Sequence, residues 1–234
     1  MKKIFLKDSY TLDDLFDILT ALRGENGCPW DKIQTHESLK KCLIEEAYET
    51  IDALDSGDDK MFANELGDVL LQVAFHSQLA AERSAFNFDD VLYELCTKLI
   101  TRHTHVFGDV SAKDPEAALA NWEKNKNKEL ENLNPYEVMK AVPHHLPALM
   151  RAEKIQKKAE SFGANVPSEK EIKESIKNLI STDEFSECDY KKLLFSVVAL
   201  GRAKGISPET ELIAETNKFL DNCKNKQNLK EVTI

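Results

Sequence analysis

The sequence predicts an all-α fold, a helical bundle. Apolar residues recur at helical spacing along most of the chain, and no segment alternates convincingly between apolar and polar residues as a half-buried strand would. Only 8 Gly and 7 Pro interrupt the 234 residues. A chain of this length holds one large domain or two small ones.

The first half divides into helices separated by turn-forming residues. A helix is predicted over about 12–23, and a loop that contains Gly and Pro follows at 24–36. The next helix carries acidic residues and begins behind Ser38, whose side chain is the expected N-cap. A short turn at 56–60 separates it from a long helix that runs to about Arg83.

Further helices and a proline-rich segment follow. A fourth helix begins in 87–91 and ends near His103, and 105–115 is predicted to be a loop. Residues 121–132 are predicted to be helical. The segment 134–147 contains three of the seven prolines, and we interpret it as a linker.

Two clusters of carboxylates indicate the chemistry. Glu45, Glu46 and Glu49 form the first cluster, and Glu65 and Asp68 form the second. Residues three or four apart share a helix face, so Glu46 points the same way as Glu49, and Glu65 the same way as Asp68. Two such helices side by side would bring four carboxylates together. Hard oxygen ligands of this kind favour Mg²⁺ or Mn²⁺.

The alternative interpretation is a pair of solvated helix faces that carry surface salt bridges. Lys41, which faces Glu45, is the one basic residue at three or four positions from any of the five carboxylates. Glu46 falls in the middle of the apolar face of its helix, between Leu39, Cys42 and Leu43. Because buried charges are costly unless they are paired or metal-bound, we favour a metal site.

The clusters and their surroundings resemble a known family. The sequence EEAYE, fifteen residues and then ELGD resemble the EExxE…ExxD signature of the all-α nucleoside triphosphate pyrophosphohydrolases. The flanking segments narrow the resemblance to the MazG family, and it runs from about 12 to 219. These segments are GCPWDKIQTHESL, LLQVAFHSQLA, KLITRHTHVFGD and NWEKNKNKE.

The resemblance implies a reaction and a ligand set. Such enzymes hydrolyse an NTP or dNTP to the monophosphate and pyrophosphate, with water attacking the α-phosphorus. It assigns Glu46, Glu49, Glu65 and Asp68 as ligands of Mg²⁺ or Mn²⁺. Glu45 would be an outer ligand or the group that accepts a proton from the attacking water, and the sequence leaves both roles open.

The resemblance also implies substrate-binding residues. Lys98 and Arg102 share a helix face, which suits polyphosphate binding, although an ordinary exposed face is the alternative. Trp122 either stacks on the base or packs in the core, and Trp30 either closes the pocket or only anchors its loop. The predicted substrate-binding residues are Lys98, Arg102, His103, Trp122, Lys126 and Trp30.

Three further positions carry expectations. His76 falls on the same stripe as the second carboxylate cluster, and we expect a neutral imidazole that is hydrogen-bonded to a metal ligand. Cys42 stands where many relatives carry Tyr, which could alter a substrate contact. Thr104 stands where Pro is usual, and we expect it only to loosen a turn.

The second half resembles a degenerate copy of the first. This gives tandem MazG-like domains of 1–133 and 148–234 on either side of the linker. In the second copy Ser175, Asn178 and Lys192 replace three expected carboxylate ligands. We therefore expect all activity in the first domain and a structural role for the second.

Composition limits the function classes. The net charge of −10 argues against general binding of nucleic-acid polymers. The five cysteines are odd in number and form no CxxC pair, which argues against disulfide scaffolding and structural zinc. We expect no signal peptide and no membrane span, hence a cytoplasmic location.

The sequence therefore predicts a Mg²⁺-dependent, homodimeric enzyme that hydrolyses nucleoside triphosphates and keeps the nucleotide pool clean. A non-catalytic nucleotide or metal sensor, or a partner-binding helical protein, is the alternative from another class. A dUTP or phosphoribosyl-ATP pyrophosphohydrolase is the enzymatic alternative.

Overall fold

The computed structural model describes residues 6–130, 133–182 and 184–224. Within these ranges the chain forms twelve α-helices and no strand, so the prediction of an all-α fold is confirmed. Backbone contacts divide the chain into a first unit, 1–125, and a second unit, 126–234. The predicted domain bounds and the tandem repeat stay predictions.

The helices of the first unit include two short ones that sequence periodicity did not predict. The seven helices that begin in this unit are α1 (Leu12–Arg23), α2 (Pro29–Ile33), α3 (Lys40–Ser56), α4 (Asp59–Glu82), α5 (Phe88–Arg102), α6 (Thr104–Phe107) and α7 (Pro115–Lys128). The short helices α2 and α6 fall in segments predicted as loops, and α7 begins six residues before the predicted start at 121.

The α3–α4 hairpin is the element that positions the carboxylates. Gly57 ends α3 with a φ of +72°, a left-handed conformation that suits glycine. Asp58 then caps α4, because its side chain accepts hydrogen bonds from the backbone N–H groups of Lys60 and Met61. With two residues between them, α3 and α4 run antiparallel and pack along each other.

The prediction that Ser38 caps α3 is wrong. The N-cap is Leu39, and no side chain caps this helix end. Ser38 instead belongs to the preceding turn, where its Oγ accepts from the N–H of Thr35 at 2.9 Å and the Oγ of Thr35 accepts from the N–H of Ser38 at 3.1 Å. The reciprocal pair has the pattern of a capping box, but it closes a turn.

The core of the first unit lies between α1, the start of α3 and α4. Its buried members are Leu19, Leu39, Ala74, Phe75 and Leu79. Arg23 closes one end of this core with two 2.6 Å bonds to the carboxylate of Glu82 at the end of α4. The same guanidinium donates to the carbonyl oxygens of Asp31 and Gln34, so one side chain joins α1, the end of α2 and α4.

The second unit is built from the remaining helices, α8 (Pro135–Lys140), α9 (Ala148–Ser161), α10 (Glu169–Ile180), α11 (Glu187–Ala203) and α12 (Pro208–Lys224). The pair α10–α11 packs together, and α9 packs on α8, α11 and α12. The segment 134–147, which the prolines suggested as a linker, thus contains a helix. Val138 and Val142 of this segment are buried.

Candidate metal centre

The α3–α4 hairpin brings three of the predicted carboxylates together. One oxygen from each of Glu46, Glu49 and Glu65 lies within 4.8 Å of the other two. Asp68 follows Glu65 by one turn on α4, and its charge acts on Glu46 across the hairpin. The i, i+3 spacing within each helix and the antiparallel packing of the two helices produce this arrangement.

The electrostatics of this cluster are unfavourable to the carboxylates alone. The pKa of Glu46 is raised, first by burial and then by the negative charges of Asp68, Glu49, Glu65 and Glu45. Among the residues that the structure describes, none of the four predicted ligands forms an ion pair with a basic side chain.

One amide does reach the cluster. The Nδ2 group of Asn64 lies 3.4 Å from an oxygen of Glu65 and 3.4 Å from an oxygen of Asp68, which makes two long hydrogen bonds. A neutral amide supplies donors but no positive charge. This contact therefore does not neutralise the negative charge of the cluster.

The donor set fits a hard divalent cation. All the candidate ligands are carboxylate oxygens, the type that Mg²⁺ and Mn²⁺ prefer. Mg²⁺ binds oxygen at about 2.0–2.1 Å, so ligands on opposite sides of the ion are about 4.2 Å apart. The separation of up to 4.8 Å between the three oxygens is close to that span.

Glu45 is on the outer side of this cluster. It forms an ion pair with Lys41 at 2.9 Å, as the helical spacing predicts, and both side chains are well exposed. A surface pair at i, i+4 contributes only about 0.3–0.5 kcal/mol. This contact is therefore too weak to hold Glu45 away from a role beside Glu46.

The expectation that His76 bonds to a metal ligand is wrong. Its Nδ1 lies 2.8 Å from the Nδ1 of His36, and the two rings stack at 5.1 Å. The pKa of His76 is lowered, first by burial and then by His36. His76 follows Asp68 by eight residues, which is about 12 Å along the helix, so it shares the face of the carboxylates but lies beyond their reach.

Five of the six predicted substrate-binding residues lie on three helices. Lys98 is exposed on α5 and Arg102 ends that helix, with its guanidinium carbon 5.7 Å from the ring of the half-buried Trp122 on α7. His103 follows α5, and its Nδ1 is 2.6 Å from the carbonyl of Leu99. Lys126 follows Trp122 by one turn on α7, and Trp30 is exposed on α2.

Sequence reasoning missed three polar residues that fix this basic segment. Thr104 does not merely loosen a turn, because its hydroxyl accepts hydrogen bonds from the amides of Asn121 and Asn125. The i, i+4 spacing of these two asparagines places both amides on one face of α7, which was a signal available in the sequence. The sequence carried no signal that their partner would be Thr104 on another helix.

Within the described part of the second unit, no carboxylate cluster is comparable to that of Glu46. Asp189, three residues before Lys192, is the N3 residue of a capping box with Ser186, and hydrogen bonds from Ser186 lower its pKa. Lys192 lies 3.5 Å from the same carboxylate. Among the described residues from 126 onward, no three potential ligands converge as Glu46 and its neighbours do.

The comparisons with known proteins agree with the geometry. The model of the MazG nucleotide pyrophosphohydrolase domain matches residues 34–107, which include both carboxylate clusters. The chain is 40% identical to the nucleoside triphosphate pyrophosphohydrolase/pyrophosphatase MazG of Thermotoga maritima over 233 residues, covering 94% of this chain and 86% of that protein.

Two other relatives extend this picture. A nucleoside triphosphate pyrophosphohydrolase of Escherichia coli K12 is 37% identical over 220 residues, covering 89% of this chain and 84% of its own length. The uncharacterized protein YabN of Bacillus subtilis is 48% identical over 140 residues, covering 60% of this chain and 28% of its own length. In the part of the chain that the structure describes, no helix has the length and apolar character needed to cross a membrane.

Proposed function

This chain belongs to the MazG family and is a nucleoside triphosphate pyrophosphohydrolase, and from that premise we propose that the α3–α4 hairpin carries its catalytic site. The reaction converts an NTP or dNTP to the nucleoside monophosphate and pyrophosphate. The observation that carries the placement is the convergence of Glu46, Glu49 and Glu65 within 4.8 Å, with Asp68 one turn away.

The proposed cofactor is Mg²⁺, with Mn²⁺ as the alternative, held by Glu46, Glu49, Glu65 and Asp68. When bound, such an ion neutralises phosphate charge and lowers the pKa of bound water. Without a cation the carboxylates would repel the anionic substrate. The substrate is therefore proposed to dock at the place where the carboxylates hold the cation. Glu45 is proposed either to accept the proton of the attacking water or to act as an outer ligand.

The proposed polyphosphate site is the basic segment at the end of α5. Lys98 and Arg102 stand one turn apart, and His103 follows directly. Arg suits bidentate contact with phosphate oxygens. Lys126 would add a further cation, and Trp122 and Trp30 are proposed to contact the base or to close the pocket.

The test is pyrophosphate release from a panel of ribo- and deoxynucleoside triphosphates, including dUTP and oxidised bases, with Mg²⁺, with Mn²⁺ and with chelator. We expect release that the chelator abolishes and that added Mg²⁺ restores, because the donor set is all carboxylate. Phosphoribosyl-ATP is added to the panel because its hydrolysis would favour the alternative of a phosphoribosyl-ATP pyrophosphohydrolase. Release that persists in chelator would contradict the proposed cofactor, and binding without release would favour a sensor.

A second copy of the chain is the proposed partner. Large apolar side chains remain exposed along α3, α4 and α5, more than scattered surface residues would account for. They include Ile44, Tyr48, Ile51, Leu66, Leu70, Leu95 and Leu99. A homodimer that covers this face would have twice the mass of one chain in sedimentation equilibrium at micromolar concentration, whereas a mass of one chain would contradict it.

The second unit is proposed to be structural, since Ser175, Asn178 and Lys192 stand where its own ligands would be. A reduced cytosol remains the proposed location, and the five cysteines, none of them in a disulfide, support it. Removal of unwanted nucleotides from the pool remains the proposed physiological role.

A further inference from the structure

The junction between α5 and α6 is clamped to α7 by two amides and one hydroxyl. The Nδ2 group of Asn125 donates to Thr104 Oγ1 at 2.9 Å and to the carbonyl oxygen of Arg102 at 3.2 Å. The Nδ2 group of Asn121 donates to the same Thr104 oxygen at 2.9 Å and lies 3.2 Å from Nδ1 of His105. The five residues, Arg102, Thr104, His105, Asn121 and Asn125, all belong to the first unit, and these four contacts join them.

The two Nδ2 groups of this clamp each have two contacts. Each Nδ2 group has two hydrogens, and each has two acceptors, so neither amide keeps a free N–H. The Thr104 hydroxyl accepts twice, which uses both lone pairs of its oxygen. Because all of these groups are half-buried, losing one partner would leave an unsatisfied polar atom. These four contacts therefore tie the junction to α7.

The contact with Asn121 also favours one tautomer of His105. An amide N–H can donate only to a ring nitrogen that carries no proton, so this contact favours the tautomer in which Nδ1 of His105 is bare. The proton of the neutral ring then lies on Nε2, which faces away from Asn121 and is a hydrogen-bond donor. His105 is half-buried, and its ring centroid lies 5.6 Å from that of His103.

The same two asparagines orient the neighbouring arginine. Trp122 follows Asn121 on α7, and its ring lies 5.7 Å from the guanidinium carbon of Arg102. The carbonyl of Arg102 is bound by Asn125. Arg102 is thus attached to the clamp by its backbone carbonyl. Trp122 is attached to it because it lies next to Asn121 on α7.

We propose that Thr104, Asn121 and Asn125 are positioning residues for the triphosphate, and that His105, held with its proton on Nε2, is a further donor to a phosphate oxygen. The inference rests on the proposed function of Arg102.

The test compares Thr104→Val, Thr104→Ser and Asn125→Leu with a matched control, Thr101→Val, whose hydroxyl bonds only to carbonyls of its own helix. We expect Thr104→Val and Asn125→Leu to raise KM for a triphosphate about 10-fold with kcat changed less than about 3-fold, because substrate positioning is lost while the carboxylates stay. Thr104→Ser should recover most of the affinity, and Thr101→Val should match the unmodified chain.

A spectroscopic measurement tests the proposed proton position on His105 without measuring turnover. In ¹⁵N spectra of the histidine side chains we expect His105 with a bare Nδ1 and a protonated Nε2. Asn121→Asp, which offers only acceptors to the ring, should move the proton to Nδ1 and weaken binding of a non-hydrolysable triphosphate. A His105 that carries its proton on Nδ1 in the unmodified chain would overturn this part.

The outcomes for the clamp and for the proposed function are distinguishable. If Arg102→Ala weakens triphosphate binding and Thr104→Val and Asn125→Leu do not, the clamp inference is overturned and the polyphosphate site stands. If Arg102→Ala also has no effect, the polyphosphate site itself is misplaced and the inference fails with it.

Discussion

Replacing Glu46 by Gln should lower kcat/KM by roughly 100-fold or more, because charge stabilisation by the proposed metal ion would supply several kcal/mol of the lowered barrier. Glu46 is the carboxylate on which the others converge, half-buried on α3 and subject to the charges of its neighbours. The amide keeps the shape of the side chain and removes its charge. Asp68→Asn, on the opposite helix, should act in the same direction.

The measurement is steady-state kinetics with saturating Mg²⁺, together with a circular dichroism melt to establish that each variant is folded. The matched control is the double variant Glu174→Gln and Asp189→Asn, which removes two carboxylates that lie beside Ser175 and Lys192 in the second unit. Its turnover should stay within about twofold. Near-normal kcat/KM in both Glu46→Gln and Asp68→Asn would exclude the α3–α4 hairpin as the site. A large loss in the control would place activity in the second unit.

Replacing Arg102 by Ala should weaken binding of a triphosphate by about 1.5–3 kcal/mol and binding of a monophosphate much less, since a charge-assisted contact to the polyphosphate is lost. Arg102 ends α5, and its guanidinium lies over the ring of Trp122. That contact restricts the side chain before substrate arrives. Less rotamer entropy is then lost on binding.

Calorimetric titration with a non-hydrolysable triphosphate and with the monophosphate checks this difference. Arg83→Ala is the matched control, because it removes an exposed arginine at the end of α4 and thus the same formal charge. Equal losses for the two ligands in Arg102→Ala would place this residue away from the polyphosphate. A loss in Arg83→Ala of the same size would indicate a general charge effect.

The sequence predicts the long helices well because each of them repeats its apolar face over several turns. The predicted bounds 12–23 are those of α1, where Thr11 and Asp14 form a capping box. The helices α2 and α6, of five and four residues, are too short to show a period. The expected N-cap at Ser38 was wrong because a Thr35–Ser38 turn uses the same residue types as a helix start.

The candidate site was predictable to the extent that it depends on helix geometry. The spacing of Glu46 to Glu49 and of Glu65 to Asp68 places each pair on one face, and a tight turn makes the two helices neighbours. The partner of His76 was not predictable. His76 shares a helix face with Glu65 and Asp68, but a shared face does not show how far apart residues lie along the helix axis. Thr104 depends on contacts with α7, which no local pattern reveals.

The α3–α4 hairpin also has a consequence for the order of events during synthesis. Glu46 and Asp68 are separated by a single tight turn, so their approach requires only local contacts, which form fast in folding. The ribosome adds roughly 5–20 residues per second, so the second unit, 126–234, takes at least several seconds more to appear. We therefore expect the nascent chain to acquire its carboxylate cluster, and with it the capacity to bind a cation, before the second unit has been made.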